Sequence, residues 1–249
     1  MHRLSAAVLL SVLSSAVWGQ QTPNAEHADR AWIERSNAYT NRLLDVQFQH
    51  APERGSRQGL AKFDERISNP TLADEMTERR ELEAVLAKIN SESTKETDQR
   101  VRDDLAILDK AFDLQFRRQD YELQREVPFL NASELVFQGL RGLLDDQVAA
   151  ERRPAALVRL RRYAGAEPGS KPFTELLEQR VQEQIAKPGV IYPSKGEVET
   201  ELGRNSNYVE GIGALFTKYG LKGWEPGYAK LKSQLAVGSP MFLRPNIRI

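Results

Sequence analysis

The chain has 249 residues, 35 basic and 35 acidic, 40% apolar, 8% aromatic and without cysteine. Balanced charge excludes a global electrostatic pull towards nucleic acid or an anionic membrane, and the missing cysteine excludes disulfides and thiolate metal sites. Abundant charge over a modest apolar fraction suits helices with narrow buried stripes, since a sheet needs more Val, Ile, Thr and aromatics.

Arg3, the apolar run Leu4 to Leu13, and the small residues Val17 and Gly19 ahead of Gln20 have the layout of a secretory signal peptide over residues 1–19. Cleavage after Ala16 is the rival position, and a buried N-terminal helix is the structural alternative. The run is short of the roughly 20 apolar residues that span a bilayer, and no later run is long enough. Without cysteine there is no lipid-anchor site. The expectation is an exported protein, periplasmic or extracellular and not lipid-anchored. Losing Arg3 leaves 34 basic against 35 acidic residues.

After a polar leader (20–27), the segment from about Ala28 to Phe48 carries Trp32, Tyr39, Leu43 and Val46 at helical spacing, widened by Ile33 and Leu44. The Pro- and Gly-bearing stretch Ala51 to Gly59 breaks that pattern. Leu72, Met76, Leu82, Leu86 and Ile89 mark the next helix. Glu96 to about Glu126 is the longest periodic run, with Val101, Leu105, Leu108, Phe112 and Phe116 on one face; it would reach about 45 Å if unbroken. Pro128 ends it. Asn131, with Glu134 three residues on, reads as a capping-box N-terminus for a helix using Leu135, Val136, Leu140, Leu143 and Leu144. Pro154 opens a short helix that closes near Gly165, and Phe173 to Ala186 forms another, stopped by Pro188 and Gly189. Ser194 and Glu197 make a second capping box. Asn205 to Asn207 breaks that helix, and Val209, Ile212, Leu215 and Phe216 resume the stripe as far as Gly220. A last helix runs from Pro226 to about Val237. The fold class is all-α: long antiparallel amphipathic helices with short loops.

A zinc site would need clustered histidines. His2 leaves with the signal, no HExxH occurs, and His27 and His50 lie at opposite ends of the first helix, too far apart for one ion. Asp103–Asp104 and Asp145–Asp146 are helix neighbours that point about 100° apart, which suits a solvated face better than paired carboxylate chemistry. Glu197 and Glu201 share a face, but the cap accounts for Glu197, and nothing marks out a pair for glycoside hydrolysis. Arg152, Arg153, Arg159, Arg161 and Arg162 form the densest basic patch, read as a solvated or salt-bridged face or an anion site. With an export signal, nucleic acid is not an expected partner. Asn131-Ala132-Ser133 matches a glycosylation sequon that the helix cap explains without modification. Gly211-Ile212-Gly213 has no preceding strand and no third glycine, and the serines have no histidine nearby. The residues therefore nominate no catalytic, cofactor-binding or metal-binding side chain.

Pro52, Gly59 and Phe63-Asp64-Glu65-Arg66 follow a first amphipathic helix and precede two long charged ones. Ile191-Tyr192-Pro193 and Tyr219-Gly220-Leu221 to Trp224 come later. In this order the chain, from about Ala28 to Leu235, resembles the N-terminal part of the bacterial domain-of-unknown-function family numbered 885. The resemblance implies membership of an exported, largely helical group that is similar to zinc metallopeptidases and considerably longer. In that group an HExxH helix of the C-terminal half binds zinc through two histidines while its glutamate activates water. None of those residues exists here, so zinc is implied only for full-length relatives. Residues 28–235 would correspond to the helical half that precedes the chemistry.

Residues 236–249 (AVGSPMFLRPNIRI) abandon the charged amphipathic pattern. They read either as a flexible terminus or as a longer frame shifted near Val237 and ended soon afterwards. A truncated chain of that kind would expose apolar stripes. Two functions follow as expectations. One is the N-terminal helical region of an exported metallopeptidase-like protein, inactive alone, with a peptide substrate or the missing C-terminal half as partner. The other is a self-standing extracytoplasmic helical binding or scaffold protein using a groove between helices. A helical hydrolase working through carboxylates alone is a third, weaker expectation.

Overall fold

The computed structural model describes residues 23–237, with side chains from Arg30 to Ala236. The expected signal peptide (1–19), the His27 side chain and tail residues 238–249 lie outside the described residues. Within them the chain is helical and has no strand.

Two hydrophobic cores organise it. The first lies among α1 (Pro23–His50), α3 (Leu72–Ser93) and α4 (Gln99–Arg125), where Leu43, Leu82, Ile89, Val101 and Leu105 are buried. The second gathers α5 (Ala132–Arg141), α6 (Ala155–Tyr163), α7 (Phe173–Ile185), α9 (Asn205–Lys218) and α10 (Glu225–Val237). There Val136, Leu140, Leu143, Leu160, Ile212 and Phe216 are fully buried. Each such side chain contributes about 1.5–3 kcal/mol relative to exposure, so both lobes close on themselves. Among the described residues there are also two short α-helices, α2 (Pro52–Arg57) and α8 (Lys195–Leu202), and two single 3-10 turns, Ala61–Phe63 and Ala150–Arg152.

The helix starts follow local chemistry. Side-chain oxygens of Thr71, Asp98, Asn131 and Ser194 accept from the first-turn amides of α3, α4, α5 and α8, satisfying donors that have no partner inside the helix. Beyond α4, Glu126 and Ile191 form an isolated parallel bridge. In it the Val127 amide donates to the Ile191 carbonyl (2.9 Å) and the Ile191 amide to the Arg125 carbonyl (2.6 Å), which ties the end of the first lobe to a loop of the second.

Three local expectations are corrected. Ala51 to Gly59 is not a plain break: Pro52 sits at the start of α2, where its missing N–H costs nothing. Asn205 begins α9, and the break falls at Gly203–Arg204. Leu135 is 40% exposed and does not join the core stripe of α5.

The segment after α2 joins the lobes. Gly59 takes φ +88°, and Gly55 packs under the Phe63 ring so closely that a Cβ would lie 2.5 Å from Phe63 Cδ2. Phe63 is fully buried, and Asp64 beside it accepts from Ser56 Oγ (2.7 Å) and from Arg152 Nε and Nη2 (2.8 and 2.6 Å).

Candidate functional site: a cleft between the lobes

The end of α1, the short α2 and the first turns of α3 face α5 and α7 across a cleft of about 540 Å³. Organic ligands occupy pockets of about 300–1,000 Å³, often between structural units. Leu130, Leu135, Phe173 and Leu177 supply apolar wall, and the buried Tyr163 closes one side.

Five carboxylates line this cleft: Glu53, Asp74, Glu75, Glu78 and Glu134. Glu53 accepts from the Tyr163 hydroxyl (2.7 Å) and from the Ser68 amide (3.0 Å). Burial, and then Glu53, push the Tyr163 hydroxyl well above its ordinary pKa, so it stays a donor. Asp74 lies 3.0 Å from His50 Nδ1, and Glu81 lies 3.2 Å from His50 Nε2. Only an imidazolium donates at both nitrogens. Burial opposes that charge most strongly, yet the bonds to Asp74 and Glu81 raise the His50 pKa overall. Glu75 accepts from Arg180 Nε and Nη2 (3.1 and 2.9 Å) and from Gln119 (3.0 Å), which joins α3, α4 and α7. Glu134 is hydrogen-bonded to Tyr208.

Glu78 differs. It makes no hydrogen bond or ion pair among the described residues. Burial raises its pKa, and Asp74 and Glu75 add to the rise, while His50 and Arg54 pull the other way.

The residues singled out in the sequence scatter. Of those weighed for metal, acid–base or anion chemistry, His50 alone reaches the cleft, while Glu134, named for its cap, also lines it. Asp104 accepts from Ser36 (2.5 Å), which pins α1 to α4, and Asp103 accepts from Gln99 within α4 (2.6 Å). Asp145 accepts from the Gln147 amide, and Asp146 binds Lys218 and Tyr219. Glu201 pairs with Arg204. The arginine patch is no single face. Arg159 is fully buried, donating to the Gly139 and Phe63 carbonyls (2.7 and 2.9 Å). Arg152 holds Asp64, Arg153 stacks on Tyr219, Arg161 pairs with Glu167, and Arg162 lies 4.0 Å from Glu65. Asn131 is buried, its amide oxygen accepting at the cap and its amide nitrogen, the atom a glycan would take, donating to the Glu201 carbonyl. Gly211 lies inside α9 against Phe137.

Glu53, Asp74, Glu78 and Tyr163 were not picked out by sequence reasoning. One signal was there: Asp74, Glu78 and Glu81 recur at i, i+4 and i+7, on one face of α3.

Among the described residues no group of three or more His, Asp or Glu is placed to hold a metal, and no helix is long and apolar enough to cross a membrane. The zinc of the resembled family needs an HExxH that this sequence lacks, so the residues present do not fit it. Compared with protein-family models, curated proteins and solved structures, the chain matches none. In the cleft the Tyr163 and Ser68 hydroxyls both donate to Glu53 (2.7 and 3.3 Å); beyond that it offers shape, an apolar wall and charge.

Proposed function

We propose that the chain is an exported helical binding protein that holds a small organic or peptide ligand between its two lobes. The cleft carries this reading: about 540 Å³, with Leu135 exposed along it and a carboxylate without a protein partner. Export rests on the signal-like residues 1–19 and is tested by following secretion of a tagged chain with and without them. Binding is tested by thermal-shift screening of the purified mature chain, with Leu135→Arg as control. Hits that stabilise the parent and lose their effect in the variant are expected. Hits indifferent to Leu135→Arg would place the ligand elsewhere.

One observation favours the second reading, a helical region of a longer metallopeptidase-like protein. Ile107, Leu114 and Tyr121 are 66%, 53% and 52% exposed on α4, seven residues apart and opposite its buried face. Helices that pack on a further body present such stripes. The two readings differ in unfolding. A self-standing binder melts in one cooperative transition with protected amides in both lobes, whereas a dependent region gives a broad melt and weak protection.

A further inference from the structure

The class of ligand follows from which groups in the cleft are already satisfied. Four of the five carboxylates have protein partners: Tyr163 and Ser68 on Glu53, His50 on Asp74, Arg180 on Glu75 and Tyr208 on Glu134. Their charge is committed within the fold: Glu75 joins α3 to α7 and Glu53 joins α2 to α6, while Asp74 is held by α1 and Glu134 by α9. Glu78 has none, although it is half-buried. Of the cleft's three cations, His50 is spent between Asp74 and Glu81, while Arg54 and Arg57 are exposed; Arg54 acts on Glu78 electrostatically without bonding to it.

The second departure from what folding alone selects is Leu135. It is 40% exposed, while its neighbour Val136 is fully buried, and Leu130, Phe173 and Leu177 line the same space. A half-buried carboxylate without a protein donor is unfavourable in the free protein, and the apolar wall that shares its cleft gains by being covered. One kind of molecule relieves both, namely a protonated amine on an apolar body. An anion would meet Glu78 with the wrong sign, and a neutral hydrocarbon would bury it without a donor.

On the reading that the cleft is the binding site, we propose that its ligand is a cationic amine with an apolar body, the ammonium donating to Glu78 and the hydrocarbon lying on Leu135. The ammonium supplies a charge-assisted hydrogen bond. The apolar portion displaces water from a wall the protein leaves open.

The test uses three probes of one size, hexylamine, hexanol and hexanoate, titrated into isotope-labelled mature protein while amide chemical shifts are followed. Hexylamine is expected to move the amides around Glu78, Leu135 and Leu177 saturably. Hexanol should bind at least about tenfold more weakly, in keeping with a lost charge-assisted bond, and hexanoate more weakly still. Glu78→Gln should bring hexylamine down to the level of hexanol. Arg54→Ala, which removes a competing cation, should leave hexylamine unchanged or tighten it. Equal binding of the three probes at these amides, or hexylamine binding indifferent to Glu78→Gln, overturns the amine while the cleft stands. Arg54→Ala weakening hexylamine as much as Glu78→Gln also overturns it. If no probe moves a cleft amide at millimolar concentration, the amine proposal and the cleft reading fall together.

Discussion

Glu78 and His50 act on stability in the same direction. Burial lifts the Glu78 carboxyl above its ordinary value of 4.5, so the folded chain holds that proton more tightly than the unfolded one and loses stability as pH rises from there. The His50 pKa also rises, above 6.5. Its contribution is present in full below that value and disappears as pH climbs through the folded pKa. The melting temperature is therefore expected to be higher near pH 5.5 than near pH 8. Glu78→Gln should raise it at pH 7 and leave it unchanged below about pH 4, where Glu78 is protonated in both states. His50→Gln should flatten the upper limb. Thermal melts across pH read both, and a lower melting temperature for Glu78→Gln at pH 7 would contradict the account. A residue that weakens the fold yet lines the cleft is what a binding role leaves behind.

Tyr163 makes a second residue-scale prediction. Its hydroxyl abuts Gly139 so closely that a Cβ there would collide with it, while it donates to Glu53. Tyr163→Phe should cost about 1.5–3 kcal/mol, the worth of a hydrogen bond to a charged acceptor, and Gly139→Ala about 1–3 kcal/mol by overpacking. Because the first change makes room for the second, the double variant should cost clearly less than the sum. Urea unfolding of the four proteins measures the coupling, and strict additivity would mean the collision is relieved elsewhere.

Among the elements, the caps separate local from tertiary effects. Asn131 accepts from the Ser133 and Glu134 amides and also donates to the Glu201 carbonyl (3.4 Å) from a buried position. Ser194 accepts from the Glu197 amide alone, in the open. Asn131→Ala should therefore cost about 1–2 kcal/mol and Ser194→Ala about 0.5–1 kcal/mol. Hydrogen exchange should speed up at both α5 and α8 in the first variant and only at α8 in the second. Cap residues and apolar spacing were legible because each is written within a few neighbouring residues. The helix α2 was not, because six residues with a proline and a glycine hold too little periodicity to announce themselves.

For the whole molecule, the joint between the lobes is polar. Asp64 and Arg152 form its centre, with side chains 5% and 18% exposed. Removing one partner of such a pair strands the other, so Asp64→Ala should cost about 3–5 kcal/mol. Domains are stable by only about 5–15 kcal/mol, so this one change should lower the urea midpoint sharply. Probes in α3 and α6 should still report one transition if the joint transmits the loss to both lobes. Retention of a parental midpoint by either lobe would show that they fold independently.

What the sequence by itself determined is the helical class, most helix starts and the core stripes, because period, caps and prolines act over a turn or two of chain. What only the tertiary structure decided is which polar residues meet. Tyr163 reaches Glu53 across 110 residues and Arg180 reaches Glu75 across 105. Arg159, one of five arginines between positions 152 and 162, is the one fully buried, because the Gly139 and Phe63 carbonyls converge on it. A polar side chain carries no periodic mark of its partner. Its role is fixed by the low-dielectric site into which the rest of the chain folds it, and that site exists only once both lobes have closed.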